Sequence, residues 1–207
     1  MSAEVTTNSP RRRPARRGEG DRLREEIVSA ACGLLNETGE PSALSLRAVA
    51  RKVGVATTSI YLHFDDIGAL QRAVKSRWLD MLTEEVESAA SAAGDDPRER
   101  ILAISHAYVD SGMREPARYR VLFTAERVPL PEGVQYLGVG AYDAVLRIVR
   151  QALPDDVDAN LFTMQFWCAL HGIVMLRQAR PNFPWPDLDA QVDDMITRLL
   201  ESAVHRV

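Results

Sequence analysis

Thr57, Thr58 and Ser59 form a run of short hydroxyl side chains, and Tyr61 and His63 follow closely. Hydroxyls in the first turn of a helix can meet base edges, and the helix's own leading N–H groups favour phosphate. Tyr61 and His63 can donate to phosphate oxygens without reading sequence. The same residues could instead cap and pack an ordinary helical hairpin. Other groups with chemical potential are sparse. Cys168 and His171 stand three apart, but no third ligand or orienting partner accompanies them, so a packed histidine is the simpler reading. His106 and Asp110, four apart, share a helix face and could be an exposed pair. The chain has no Gly-x-x-x-x-Gly-Lys, His-Glu-x-x-His or Gly-x-Ser-x-Gly motif. No catalytic residue, metal or cofactor is therefore expected.

The elements around the hydroxyl run favour a nucleic-acid reader. Ser45 is a good N-cap for a helix ending near Val53, with Leu46, Val49, Ala50 and Val53 on one buried face. Gly54 stands where a left-handed residue must stop that helix. A new helix can start near Ala56, with Ile60 and Phe64 facing inward. This puts Thr57, Thr58, Ser59, Tyr61 and His63 on the outer side of the second helix of a helix-turn-helix. A preceding helix, about Arg22 to Thr38, carries Ile27, Ala30, Ala31, Leu34 and Leu35 at helical spacing and stops at Gly39. It would complete a three-helix unit.

The stretch Ala-Val-Ala-Arg-Lys-Val-Gly-Val-Ala-Thr-Thr-Ser-Ile-Tyr-Leu-His-Phe, residues 48–64, resembles the helix-turn-helix signature of the tetracycline-repressor (TetR) family of bacterial transcription regulators. The Gly-Val turn and the Ile-Tyr-x-His-Phe ending carry the resemblance. It implies that Ser45 and Arg47 approach DNA from the second helix, that Thr57, Thr58 and Ser59 read bases, and that Tyr61 and His63 hold the phosphate backbone. The family commonly places a lysine after the His-Phe pair, whereas this chain continues Asp65-Asp66-Ile67-Gly68. Asp66 could cap the next helix instead, and backbone affinity would lean on other cations.

Charge is distributed unevenly. The net charge is -4 over 207 residues, but residues 1–64 carry 10 Lys+Arg against 7 Asp+Glu, and residues 65–207 carry 15 against 22. A basic reader joined to an acidic body has this form. Residues 1–20 have little to bury and read as a disordered basic arm, in which Arg11–Arg13, Arg16 and Arg17 could enter a minor groove or simply stay solvated. Residues 21–66 read as the helix-turn-helix domain, and 67–207 as a regulatory, ligand-binding and dimerisation domain. Cys32 and Cys168 lie in apolar helical contexts and read as buried free thiols. With no signal-peptide core and no apolar run of about 20 residues, neither export nor a membrane is expected, and the chain reads as cytoplasmic.

Beyond the reader, a long helix from Ile67 to about Ala92 would link the two parts. Breaks at Gly94–Pro97, Glu115-Pro116, Pro129–Pro131, Pro154–Asp156 and Pro181–Pro186 leave about five further helices and no strand pattern. The expected fold is all-α, with about nine helices. Asn160 to Arg177 is apolar around nearly its whole circumference, so more than one side should be covered. The economical cover is a second copy, meeting it through Phe162, Phe166, Ile173, Val192, Ile196 and Leu199. The family resemblance likewise implies pairing through the last two helices, and Trp167–Gly172 resembles the Trp-His-Gly element of one family branch. Tyr108, Phe123, Met164, Trp167 and His171 are candidates for a ligand pocket, within a wider apolar set of Trp78, Met113, Tyr119 and Tyr136. The expected partners are double-stranded operator DNA, a second copy and a small effector. An α-helical enzyme or carrier is the competing reading, and a regulator answering a partner protein is a third.

Overall fold

The computed structural model describes residues 19–123, 130, 132–133 and 137–204, so the arginines of positions 11–17 and Tyr136 lie outside it. Among the described residues there are nine α-helices and no strand. They are α1 (Glu19–Thr38), α2 (Leu46–Val53), α3 (Thr57–Ile60), α4 (Ile67–Ala92), α5 (Pro97–Arg114), α6 (Pro116–Phe123), α7 (Val139–Ala152), α8 (Ala159–Ala179) and α9 (Leu188–Val204). The all-α expectation holds.

Local chemistry sets several boundaries. Ser45 Oγ accepts the Ala48 N–H at 3.2 Å, and Gly54 stops α2 at φ 80° and ψ 29°. Asp66 takes the Ala69 N–H at 2.6 Å and so starts α4. Asp96 and Asp158 do the same for α5 and α8. Each such cap contributes about 1 kcal/mol by supplying an acceptor for an otherwise orphaned N–H. Pro97 and Pro116 occupy leading positions where no intrahelical N–H is needed.

Two apolar cores result. The first joins Ile27 and Leu35 of α1, Val49 of α2, Ile60, Phe64, and Leu70, Val74 and Trp78 of α4. The second joins Leu82 and Val86 of α4 to Ile104, Val149, Phe166, Leu170 and Ile196 of α5, α7, α8 and α9. α4 therefore has its first half in one core and its second half in the other. α6 does the same across three residues: Tyr119 belongs to the second core, and Val121 to the first.

α8 departs from two expectations. By length and composition it is apolar enough to cross a membrane, contrary to the reading that no run comes close. Its core-facing residues Phe162, Phe166, Leu170 and Ile173 are buried within this chain against α5, α7 and α9. Phe162, Phe166 and Ile173, with Val192 and Ile196 of α9, are thus occupied internally and do not form a free face for a second copy. Leu199 is only half-buried. The outward stripe of α8 is instead Leu161, Met164, Cys168 and Leu176. An all-round apolar helix has two covered sides, and periodicity does not say which side the chain covers itself. Cys168 is accordingly exposed rather than buried. Cys32 is half-buried, and burial pushes its thiol up to about 11.

Candidate nucleic-acid interface and buried cavity

α3 is only one turn long and leaves Ala56 as an N-cap without a side-chain acceptor. On its outer side Thr58 is exposed, Thr57 and His63 are half-buried, and Tyr61 is 54% exposed. Ser59 differs from the expectation for it: at 6% exposure it turns inward beside Ile60. A side chain so placed has no path to a base, which leaves Thr57 and Thr58 as the available short hydroxyls. Leu62, at 82% exposure, is a feature the sequence reading passed over. Its signal was present, because it lies off the Ile60–Phe64 face yet is apolar.

Ser45 and Arg47 are both exposed at the start of α2, although the Ser45 oxygen already serves as a cap. Arg51 is exposed on the same helix, whereas Lys52 is drawn to Glu37 at 2.5 Å. Where a family lysine would follow the His-Phe pair, Asp66 caps α4 and Ile67 packs on the first core. Arg47 and Arg51 are thus the exposed arginines of α2.

The second core contains a cavity of about 80 Å³. Leu82, Thr83 and Val86 of α4, Ile104 and Tyr108 of α5, and Phe123 of α6 form part of its wall. Ala144 and Val145 of α7, with Thr163, Phe166, Trp167 and Leu170 of α8, form much of the rest. Among the described residues no Asp, Glu, Lys, Arg or His lines it.

Beside the cavity runs a hydrogen-bonded chain. The Trp167 indole N–H donates to the Tyr108 hydroxyl at 3.1 Å; that hydroxyl lies 3.0 Å from the Tyr119 hydroxyl, and Tyr119 lies 2.6 Å from His171 Nδ1. Indole can only donate, so Tyr108 accepts from Trp167; the Tyr108 hydroxyl also lies 3.2 Å from His171 Nδ1, and either tyrosine hydroxyl can donate to that nitrogen. His171 Nδ1 is then an acceptor and the ring is neutral. Burial points the same way, holding the His171 pKa below its ordinary value. Burial, with Tyr108 alongside, pushes the Tyr119 hydroxyl far above the usual phenol range.

Of the expected pocket residues, Tyr108, Phe123 and Trp167 line the cavity, and His171 adjoins it through this chain. Met164 does not: it is 43% exposed on the outer face of α8. Trp78 belongs to the first core. His106 turns to α9, 2.7 Å from Asp193 and 3.6 Å from Asp189, rather than pairing along α5 with the exposed Asp110. Among the described residues no cluster of His, Cys, Asp or Glu is placed to hold a metal.

Comparison with known proteins bears on both regions. Residues 27–74 match the family model described as bacterial regulatory proteins, tetR family, and residues 101–203 match that of the tetracyclin repressor-like C-terminal domain. An uncharacterized HTH-type transcriptional regulator of Mycobacterium tuberculosis is 33% identical over 180 residues, covering 85% of this chain and 79% of that protein. Among solved structures, a protein of unknown function from Rhodococcus sp. RHA1 superposes with a TM-score of 0.74 at 24% identity, over 87% of this chain and 95% of that one. A possible TetR family transcriptional regulator from Streptomyces coelicolor A3(2) superposes with a TM-score of 0.60 at 20% identity, over 86% and 97%.

Proposed function

From the chain's membership of the TetR family of bacterial transcriptional regulators, which are not enzymes, we propose that it acts as a dimeric, ligand-responsive repressor in the cytoplasm. It binds a palindromic operator through Thr57 and Thr58 on bases and Ser45, Arg47, Tyr61 and His63 on the backbone. A small molecule in the second core releases it.

The observation that carries this reading is the double membership of α4 and α6. Leu82, Thr83 and Val86 line the cavity, while Leu70, Val74 and Trp78 of the same helix hold the reading unit. Phe123 lines the cavity two residues after Val121 enters the first core. A ligand that moves the cavity wall therefore moves elements that position α2 and α3. It shifts the equilibrium only as far as it binds the two arrangements unequally. Pairing through the outward stripe of α8 suits this reading, because two readers must span half-sites about 34–36 Å apart. The placing of Trp167 and His171 at the two ends of the hydrogen-bonded chain supports a role for the Trp-His-Gly element in shaping the cavity.

Selection of fragmented genomic DNA by the purified protein at two salt concentrations tests the proposal. A palindrome that stays enriched at the higher salt supports it. Retention that is broad, salt-labile and without a motif refutes it, since charge alone gives that pattern.

A further inference from the structure

The wall of the cavity specifies its occupant more closely than the regulator reading, on which this inference rests. Four helices and the end of a fifth surround it with apolar groups, and among the described residues no Asp, Glu, Lys, Arg or His faces it. Its polar atoms are already committed. Thr83 Oγ1 donates to the Leu79 carbonyl at 2.8 Å, and Thr163 Oγ1 donates to the Ala159 carbonyl at 2.7 Å. Tyr142 donates to the Asn160 carbonyl at 3.4 Å, and Tyr108 is held in the chain from Trp167. Arg118 is the only buried cation among the described residues, and it is bound to Glu85 at 3.3 Å and Ser111 at 2.6 Å. His171, depressed by burial and accepting from a tyrosine hydroxyl, offers no positive charge at neutral pH.

We propose that this cavity takes a small, uncharged, apolar molecule and rejects ionised analogues of the same size. An ion placed here would lose its water without gaining a counter-charge from the described wall, and so should bind more weakly than a neutral molecule of the same shape. Size adds a second consequence. A cavity of roughly 150 Å³ accommodates benzene, and the resting cavity here is about 80 Å³. Entry therefore requires a wall group to give way. Phe123 is the terminal residue of α6, half-buried, with its ring 4.7 Å from that of Tyr119 and 5.0 Å from that of His171. It is the wall group whose displacement reaches Val121 and the first core most directly.

The test uses three probes of one shape: 4-fluorobenzyl alcohol, 4-fluorobenzoate and 4-fluorobenzylammonium, titrated at pH 7.5 against the full chain by fluorine NMR. Saturable binding of the alcohol, with the two ions weaker by about 100-fold or more, is the expected result. Equal binding of either ion overturns the proposal, and so does failure of all three to bind. Ala144→Leu, which fills the wall from α7, should abolish alcohol binding. Ala141→Leu, at a half-buried wall position, makes the same test should Ala144→Leu not fold. Survival of alcohol binding in a folded filled variant places the site elsewhere and also overturns the proposal. Operator binding by the unliganded protein is measured separately. Its absence would refute the regulator reading while leaving the probe preference to stand or fall by itself.

Discussion

Thr58 and Tyr61 are close neighbours on one exposed surface, yet their substitution should have different consequences. On the proposed roles, Tyr61→Phe removes a phosphate donor and should weaken binding to many sequences alike. Thr58→Ala should change base preference at one position of the selected site, by about 1–3 kcal/mol. Ser59→Ala should leave the preference unchanged, because Ser59 faces the interior. Arg47→Ala should reduce the salt slope of operator binding by about one. Quantitative binding to operator variants at several salt concentrations checks all four, and a uniform loss across them would dissolve the division of roles. His171 makes a different kind of prediction. Its pKa in the folded chain lies below the ordinary 6.5, so the unfolded chain takes up the proton first as pH falls. The stability it contributes is therefore complete above about pH 6.5 and is lost progressively below it. Urea unfolding at pH 7.5 and 5.5 should show this loss, and His171→Gln should flatten the difference between the two. An unchanged difference in that variant would mean that other groups carry the pH dependence.

α5 and α8 meet closely at Gly112. A Cβ placed there would lie 2.7 Å from Val174 Cγ1 and 3.0 Å from Tyr119 Cδ2. Helix propensity alone would make Gly112→Ala favourable by about 1 kcal/mol, while overpacking against a core valine costs about 1–3 kcal/mol. The core valine has little freedom to move, so the net effect should be a loss of about 1–2 kcal/mol, read from denaturant unfolding. A gain in stability would mean that the α5–α8 contact yields more easily than its distances imply. Features of this kind mark where the sequence stops being informative. The caps at Ser45, Asp66 and Asp96 and the left-handed Gly54 were legible, because each is fixed by residues within a few positions of itself. The inward turn of Ser59 was not, since α3 ends after one turn and extending it as a regular helix puts that side chain outside. The cavity was legible only in part. Tyr108, Phe123 and Trp167 could be named as aromatic candidates, but the Met164 side chain belongs to the opposite face, which only the docking of α8 against α5 and α7 decides.

At the scale of the whole molecule, the proposed dimer raises the question of which face of α8 would meet a second copy. The single chain already buries Phe162, Phe166, Ile173, Val192 and Ile196, so substituting them would test folding rather than association. Leu161, Met164, Cys168 and Leu176 follow one another at helical spacing on the side left uncovered, with half-buried Met195 and Leu199 on α9 beside a groove that also includes Ala169. Leu176, 56% exposed, is the apt probe, because a charge there costs the isolated chain little. Leu176→Glu should leave the unfolding transition of the monomer nearly intact, shift sedimentation from dimer to monomer and lower operator affinity by roughly 100-fold or more. That loss follows from the tethering of two half-site readers, which turns the second contact into an intramolecular step. A partner held on this face would also explain how one helix can be apolar all round, since one side is covered by α5, α7 and α9 and the proposed symmetry mate would cover the other. A Leu176→Glu protein that stays dimeric and keeps full operator affinity would move the interface off this face. It would also leave the outward apolar stripe of α8 in need of a different partner.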